Sequence, residues 1–220
     1  MVLSNDYGSQ VPIDEENEQL MKDMGLVLSQ SCLLAFENLE NVQFRPSHQL
    51  SRFDLNRFLG LIADNLDEYY EKRQGSGWKV NKFSEMQEPG LVYAWCSVNN
   101  VLVGFILFKV CNDEDTRVLY LYEIHVDRKY HSQKYGTKFM NSLHELAKNI
   151  PNYIDTKSPL FSYFTNIQFT QLTVFSDNLK ALDWYTRLGY TYNHNSPLPT
   201  TLRSGKVINP EYFILEKLIK

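Results

Sequence analysis

Residues 118–147, VLYLYEIHVDRKYHSQKYGTKFMNSLHELA, constrain the fold more than any other stretch of the chain. Residues 118–126 are rich in β-branched and aromatic side chains and predict a strand. A polar turn follows, from His131 to Gly136. Then Phe139, Met140, Leu143, Leu146 and Ala147 recur at the spacing of one helical face, which predicts an amphipathic helix over 137–147. Strand, polar turn and helix in that order bring a helix N-terminus to a strand end. The unpaired N–H groups and the positive dipole end of such a helix accept an anion without a metal. Gly136 lets the backbone approach that anion closely.

The rest of the chain supplies strands and helices in mixed order. At 220 residues it is long enough for one good core. A net charge of -4 excludes a generally basic, nucleic-acid-binding surface. Cys32, Cys96 and Cys111 are an odd, scattered set, which points to a reducing compartment and no zinc site. The polar, acidic first residues read as neither a signal peptide nor a presequence, and no apolar run reaches the length of a membrane span, so a soluble intracellular protein is expected. Residues 1–13 are expected to be disordered. Helices are predicted over 15–41 and over 53–73, the second carrying Phe58, Leu59, Ile62, Leu66 and Tyr70 on one face. Gln74-Gly75-Ser76-Gly77 breaks it and leaves Trp78 in a loop. Strands over 91–98 and 101–110 meet at an Asn99-Asn100 hairpin turn, and an acidic loop over 111–116 leads into the 118–126 strand, giving an antiparallel meander. Residues 149–166 read as irregular. A strand over 168–175, a helix over 178–188 closed by Gly189, and short strands near 190–192 and 212–216 complete an α/β (α+β) order. The domain reading is a partly helical extension, 1–45, and a main domain, 46–220.

The organising stretch resembles the acetyl-CoA site of the GNAT acetyltransferases. Their turn reads Arg/Gln-x-x-Gly-x-Gly/Ala, against His131-Ser132-Gln133-Lys134-Tyr135-Gly136 here. Only the last glycine is kept, so cofactor contact is expected to rest on backbone N–H groups. Leu172-Thr173-Val174-Phe175-Ser176-Asp177-Asn178, then Ala181, Trp184-Tyr185 and Leu188-Gly189-Tyr190, is similar to the other signature of that superfamily. More narrowly, Tyr70-Glu71, Gly77-Trp78-Lys79, Tyr93-Ala94-Trp95, Leu119-Tyr120-Leu121-Tyr122-Glu123, Leu172-Thr173-Val174-Phe175, Asn195-Ser196-Pro197 and Tyr212 look like the N-alpha-acetyltransferase D family, over roughly residues 50–216. The resemblance implies a GNAT fold, with a mixed, mostly antiparallel central sheet flanked by helices. It implies acetyl-CoA as co-substrate, no metal, and transfer to the free α-amino group of histone N-termini beginning Ser-Gly-Arg-Gly. It further implies a monomer without nucleic-acid or membrane partners, working in nucleus and cytoplasm. A GNAT acting on lysine side chains or small amines, and a catalytically weak binding module, stand as alternatives.

The resemblance also assigns roles. Glu123, Tyr122 and Tyr185 form the catalytic set. Glu123 is the candidate base for an α-ammonium, whose reference pKa is about 7.7–8.0. Burial among Tyr120, Tyr122, Ile124 and Val126 is expected to raise its pKa, and strand alternation to place it with Leu121 and His125, opposite Tyr120 and Tyr122. An ion pair across the sheet is the competing role. Tyr185 is the candidate acid for the leaving thiolate, or core packing. Backbone groups of Ile124, His125 and Val126 are expected to pair with pantetheine as an added strand would. The turn, His131, Ser132, Gln133, Lys134, Tyr135 and Gly136, would meet the phosphates, while Asn178 would hold the pantetheine arm, cap a helix, or do both. Tyr70, Trp78, Tyr120, Tyr122, Thr173, Asn195 and Tyr212 would surround the peptide's first residues. Asp113, Glu114 and Asp115 would pair with its basic side chains, or form a solvated loop.

Overall fold

The computed structural model describes residues 15–113 and 116–219. The expected disorder of 1–13, and the acidic pair Glu114 and Asp115, lie outside the described residues. In chain order the elements are α1 (Glu15–Ala35), β1 (Val42–Pro46), α2 (Arg52–Gln74), α3 (Trp78–Glu85), β2 (Val92–Val98), β3 (Val101–Asp113), β4 (Thr116–Val126), α4 (Tyr135–Tyr153), β5 (Ile167–Phe175), α5 (Leu179–Arg187), β6 (Thr191–Tyr192), β7 (Thr200–Thr201), β8 (Val207–Ile208) and β9 (Tyr212–Leu218). Seven strands form one sheet in the order β1-β2-β3-β4-β5-β9-β6, antiparallel at every pair except β4 with β5. This is the mixed, mostly antiparallel sheet that the resemblance implies.

Both faces of the sheet are covered, which explains why the central strands read as nearly continuous apolar runs. On β2, Val92, Ala94 and Cys96 pack into the core under α1 and α4, while Tyr93 and Trp95 point into a second core under α2 and α3. On β3, Ile106 and Phe108 face the first core and Phe105 and Leu107 the second. Alternation thus survives, with apolar residues demanded on both sides.

Several boundaries depart from the sequence reading. The first helix ends at Ala35 rather than at 41, and Asn41, at a left-handed φ of 53°, turns the chain into β1. Beyond it Val42–Pro46 pairs with β2, an edge strand absent from the reading. Trp78 is not in a loop. It opens α3, is 1% exposed, stacks on Tyr70 at 4.5 Å and donates from Nε1 to Asp67. The first half of the 111–116 loop is strand, since β3 runs on to Asp113. The helix after the turn continues through Pro151 to Tyr153, where irregular chain was expected. Ile150 is fully buried, and a proline two residues before the end of a helix disrupts only the last turn. The Pro-rich loop after β6 holds a small separate hairpin, β7–β8. The Asn99-Asn100 turn is as expected, with φ of 51° and 64°.

Candidate active site

The site arises from two irregularities in the sheet. The first is a bulge in β4. Leu107 pairs with Glu123 and Phe108 with Leu121, so Tyr122 is the extra residue. Alternation therefore slips by one at this point. Leu121 faces the α1/α4 core, whereas Tyr120, Tyr122, Glu123 and His125 all face the α2/α3 side. This corrects the expectation that Glu123 shares a face with Leu121 and opposes Tyr120 and Tyr122. Periodicity alone carries no signal for a bulge.

The second irregularity follows directly. β5 pairs with β4 only as far as Leu121 with Leu172. Beyond that point β5 stays with β9 through Phe175, opposite Tyr212, while β4 stays with β3 through Val126. The two strands part, and a cavity of about 1000 Å³ opens between them. Its wall includes Ile124, His125 and Val126 on the exposed edge of β4, and Thr173 and Phe175 on β5.

One end of the cavity is built by the turn. A short 3₁₀ segment, Arg128–Tyr130, leads to Ser132 and Lys134, which hold left-handed φ angles of 62° and 66°, and α4 begins at Tyr135. Lys134 stands where the resemblance expects its first glycine, and it has the backbone shape a glycine is used for. His131, Ser132, Lys134, Tyr135 and Gly136 line the cavity. The first N–H groups of α4 have no intrahelical acceptor, and so offer themselves to an anion. A Cβ on Gly136 would lie 3.4 Å from the Trp184 ring, in ordinary van der Waals contact, so Gly136 and Trp184 face each other closely here. His131 is not simply solvated, because its Nε2 donates to the Val126 carbonyl at 3.0 Å. Gln133 does not line the cavity. It bonds back to Lys129. Asn178 caps α5 as expected, accepting from Ala181 N at 3.2 Å, and it also lines the cavity.

The other end is aromatic and charged. Tyr70, Tyr120, Tyr122, Thr173 and Tyr212 line it, and the Tyr120 and Thr173 hydroxyls bond each other across the parted strands. Trp78 lies behind Tyr70 and supports it without reaching the cavity. Asn195 also lies off the cavity, where its backbone N donates to the Asn193 side chain. Asp113 accepts from Gln171, which also reaches Glu216, so this acid belongs to a polar network on the sheet. Tyr185 is buried and lines the cavity, and burial together with Tyr190 and Glu123 raises its phenol pKa far above the ordinary value.

Glu123 sits at the floor of this end. Its Oε1 accepts from the Tyr70 hydroxyl at 2.8 Å and lies 2.9 Å from Lys82 Nζ, and its Oε2 lies 2.7 Å from His125 Nε2. Burial alone would push the carboxyl pKa up, as expected from sequence. Lys82 and then His125 outweigh it, and the pKa falls to about 2. The expectation of a raised value fails because the decisive cation, Lys82, comes from α3, a helix for which the sequence reading has no element. Lys82, Glu85 and Asn65, whose side-chain amide reaches His125 Nδ1 and the Val126 carbonyl at the cavity wall, are functional candidates the sequence reading lacks. Trp78, Lys82 and Glu85 at i, i+4 and i+7 were the available signal, one face of a short helix.

Comparisons with known proteins agree with this geometry. Residues 58–157 match the acetyltransferase (GNAT) family. The chain is 30% identical over 151 residues to N-alpha-acetyltransferase 40 of Saccharomyces cerevisiae, an alignment that covers 60% of this chain and 50% of the yeast protein. It thus spans about half the length of the curated relative it matches. Among solved structures it is similar to NAA60 of Arabidopsis thaliana in complex with a bisubstrate analogue, at a TM-score of 0.50 and 16% identity over 80% of this chain and 97% of that one. The PaiA N-acetyltransferase of Thermoplasma acidophilum, in complex with coenzyme A, gives a TM-score of 0.50 and 15% identity over 80% and 98%. A sheet parted between β4 and β5, a helix N-terminus at one end of the gap, and the sequence match over 58–157 together identify the chain as one with the GNAT acetyltransferase fold.

Proposed function

We propose that this protein is an N-alpha-acetyltransferase, moving acetyl from acetyl-CoA to the free α-amino group of a protein N-terminus, with histone chains beginning Ser-Gly-Arg-Gly as its substrates. The observation that carries this reading is one continuous cavity with two chemically different ends. The turn end supplies backbone N–H groups for phosphates. Beyond Leu121 the β4 edge has no strand partner on the β5 side, which suits the amides of pantetheine at Ile124 and His125, while the Val126 carbonyl is taken by Asn65 and His131. The far end is lined by tyrosines whose hydroxyls suit a small first residue and its backbone. The named relative in yeast supports the choice of an α-amine over other acceptors.

Acetyl-CoA, when bound, supplies the activated thioester. The chain's own residues then orient the acceptor and manage protons. Tyr185 keeps its phenol protonated at any working pH, as a donor to the departing sulfur must. The test is acetyl transfer to a Ser-Gly-Arg-Gly-Lys peptide beside the same peptide with a blocked amino terminus. Transfer to the free terminus alone is expected. Equal transfer to both would assign the site to lysine side chains, and no transfer with no acetyl-CoA binding would leave a binding module.

A further inference from the structure

Helix α3 brings two charged side chains to the floor of the cavity. Lys82 Nζ lies 2.9 Å from Glu123 Oε1 and 2.6 Å from Glu85 Oε1, so one ammonium bridges two carboxylates. The two are not equivalent. Glu123 is buried with both oxygens occupied, by Tyr70 and Lys82 on one and His125 on the other. A proton placed there would weaken the bond to Lys82 and leave a buried cation poorly compensated. Glu85 meets Lys82 through one oxygen, keeps 24% of its side chain exposed, and lines the same cavity. Burial raises its carboxyl pKa, with Lys82 opposing, so the neighbouring acids are pushed in opposite directions. Acid and base roles divide in this way where environments drive two pKa values apart.

We infer that Glu85 takes the proton from the acceptor's α-ammonium, while Glu123 and Lys82 are positioning residues that hold it. The inference rests on the acetyl-transfer reading above. In the step, the ammonium gives one proton to the Glu85 carboxylate, and the free amine attacks the thioester carbon. As the C–N bond forms and the C–S bond breaks, Tyr185 gives its phenolic proton to sulfur. The second proton lost from nitrogen restores the phenol. Glu85 then releases its proton to solvent. Around Glu85 stand Lys82 on its own helix, Glu88 just beyond, Tyr70 on α2, Tyr93 on β2, and Tyr122 and Glu123 on β4.

The experiment is the pH dependence of kcat/KM for the Ser-Gly-Arg-Gly-Lys peptide, in the wild-type chain and in Glu85→Gln. The variant should lose about 100-fold near pH 7. Its deficit should shrink above about pH 8, where the amine loses its proton to water unaided. The melting temperature should fall, because Lys82 loses one of its two carboxylates, but acetyl-CoA affinity should hold and the deficit should follow pH, which a merely structural role would not produce. Wild-type kcat/KM in Glu85→Gln, or a pH limb lost only in Glu123→Gln, overturns the assignment. If the glutamine variant lacks a cooperative melt, Glu85→Asp replaces it. That variant should keep the pH limb at a rate reduced about 10-fold or more, and a wild-type rate overturns the idea. A wild-type chain that acetylates no free amine overturns the acetyltransferase reading, a failure distinct from an active enzyme indifferent to Glu85.

Discussion

Lys134 shows how a backbone requirement outlives the residue that usually meets it. At a φ of 66° an L side chain costs roughly 1–2 kcal/mol that glycine does not. The turn nevertheless keeps this conformation, because it aims the start of α4 at the cavity. Two substitutions separate the backbone from the side chain. Lys134→Gly relieves the strain and Lys134→Ala does not, so urea unfolding should find the glycine variant more stable than the alanine variant by about 1 kcal/mol. Equal stability would mean that Lys134 is not held left-handed in solution. Glu123 makes the complementary point about environment. Its position was legible from the chain, but its charge state was not, because Lys82 reaches it from 41 positions away in sequence. Local neighbours indicate burial, whereas the partner that overrules burial is set by tertiary contact.

At the level of elements, the β3–β4 pair carries the site, and Gly104 sets how closely those strands approach. A Cβ there would sit 2.6 Å from the His125 carbonyl oxygen, a backbone atom that cannot swing aside. Gly104→Ala should therefore displace β4 next to the Glu123 network, destabilise the fold by roughly 1–3 kcal/mol, and weaken acetyl-CoA binding as read by calorimetry. Unchanged stability and affinity would mean the strands can slide apart at no cost. The strands and long helices were readable because each is either amphipathic or apolar on both faces. The Val118 strand, the 137–147 helix face and the Asn99-Asn100 turn all stand where their patterns put them. β1 carries no readable pattern, and α3 carries only the single face of Trp78, Lys82 and Glu85. The first has five residues and the second eight, too few for periodicity to declare itself. The bulge at Tyr122 lies beyond pattern altogether, since it exists only relative to a partner strand.

Across the whole molecule, pH acts on the two cores through different groups. His144 on α4 bonds the Tyr190 hydroxyl at 3.1 Å, and burial, with Lys217 adding to it, lowers its pKa from 6.5 to about 4. The unfolded chain therefore binds a proton that the fold resists, and stability declines as pH falls from about 6.5 to 4. Glu123 is depressed from 4.5 to about 2, so its contribution is complete above about 4.5 and is lost below it. Denaturant unfolding across this range should show two successive declines. His144→Gln should flatten the first and leave the second. A single decline confined below pH 4.5 in the wild-type chain would remove His144 from the account.

The five paired residues that join β4 to β5 are the seam between a four-stranded block and a three-stranded one. A molecule lodged in the gap beyond that seam acts as a keystone, resting on both blocks at once. Occupancy and cohesion are then the same quantity seen from two sides. Whatever fills the cleft also fastens the halves of the sheet together, and whatever loosens them lowers its grip.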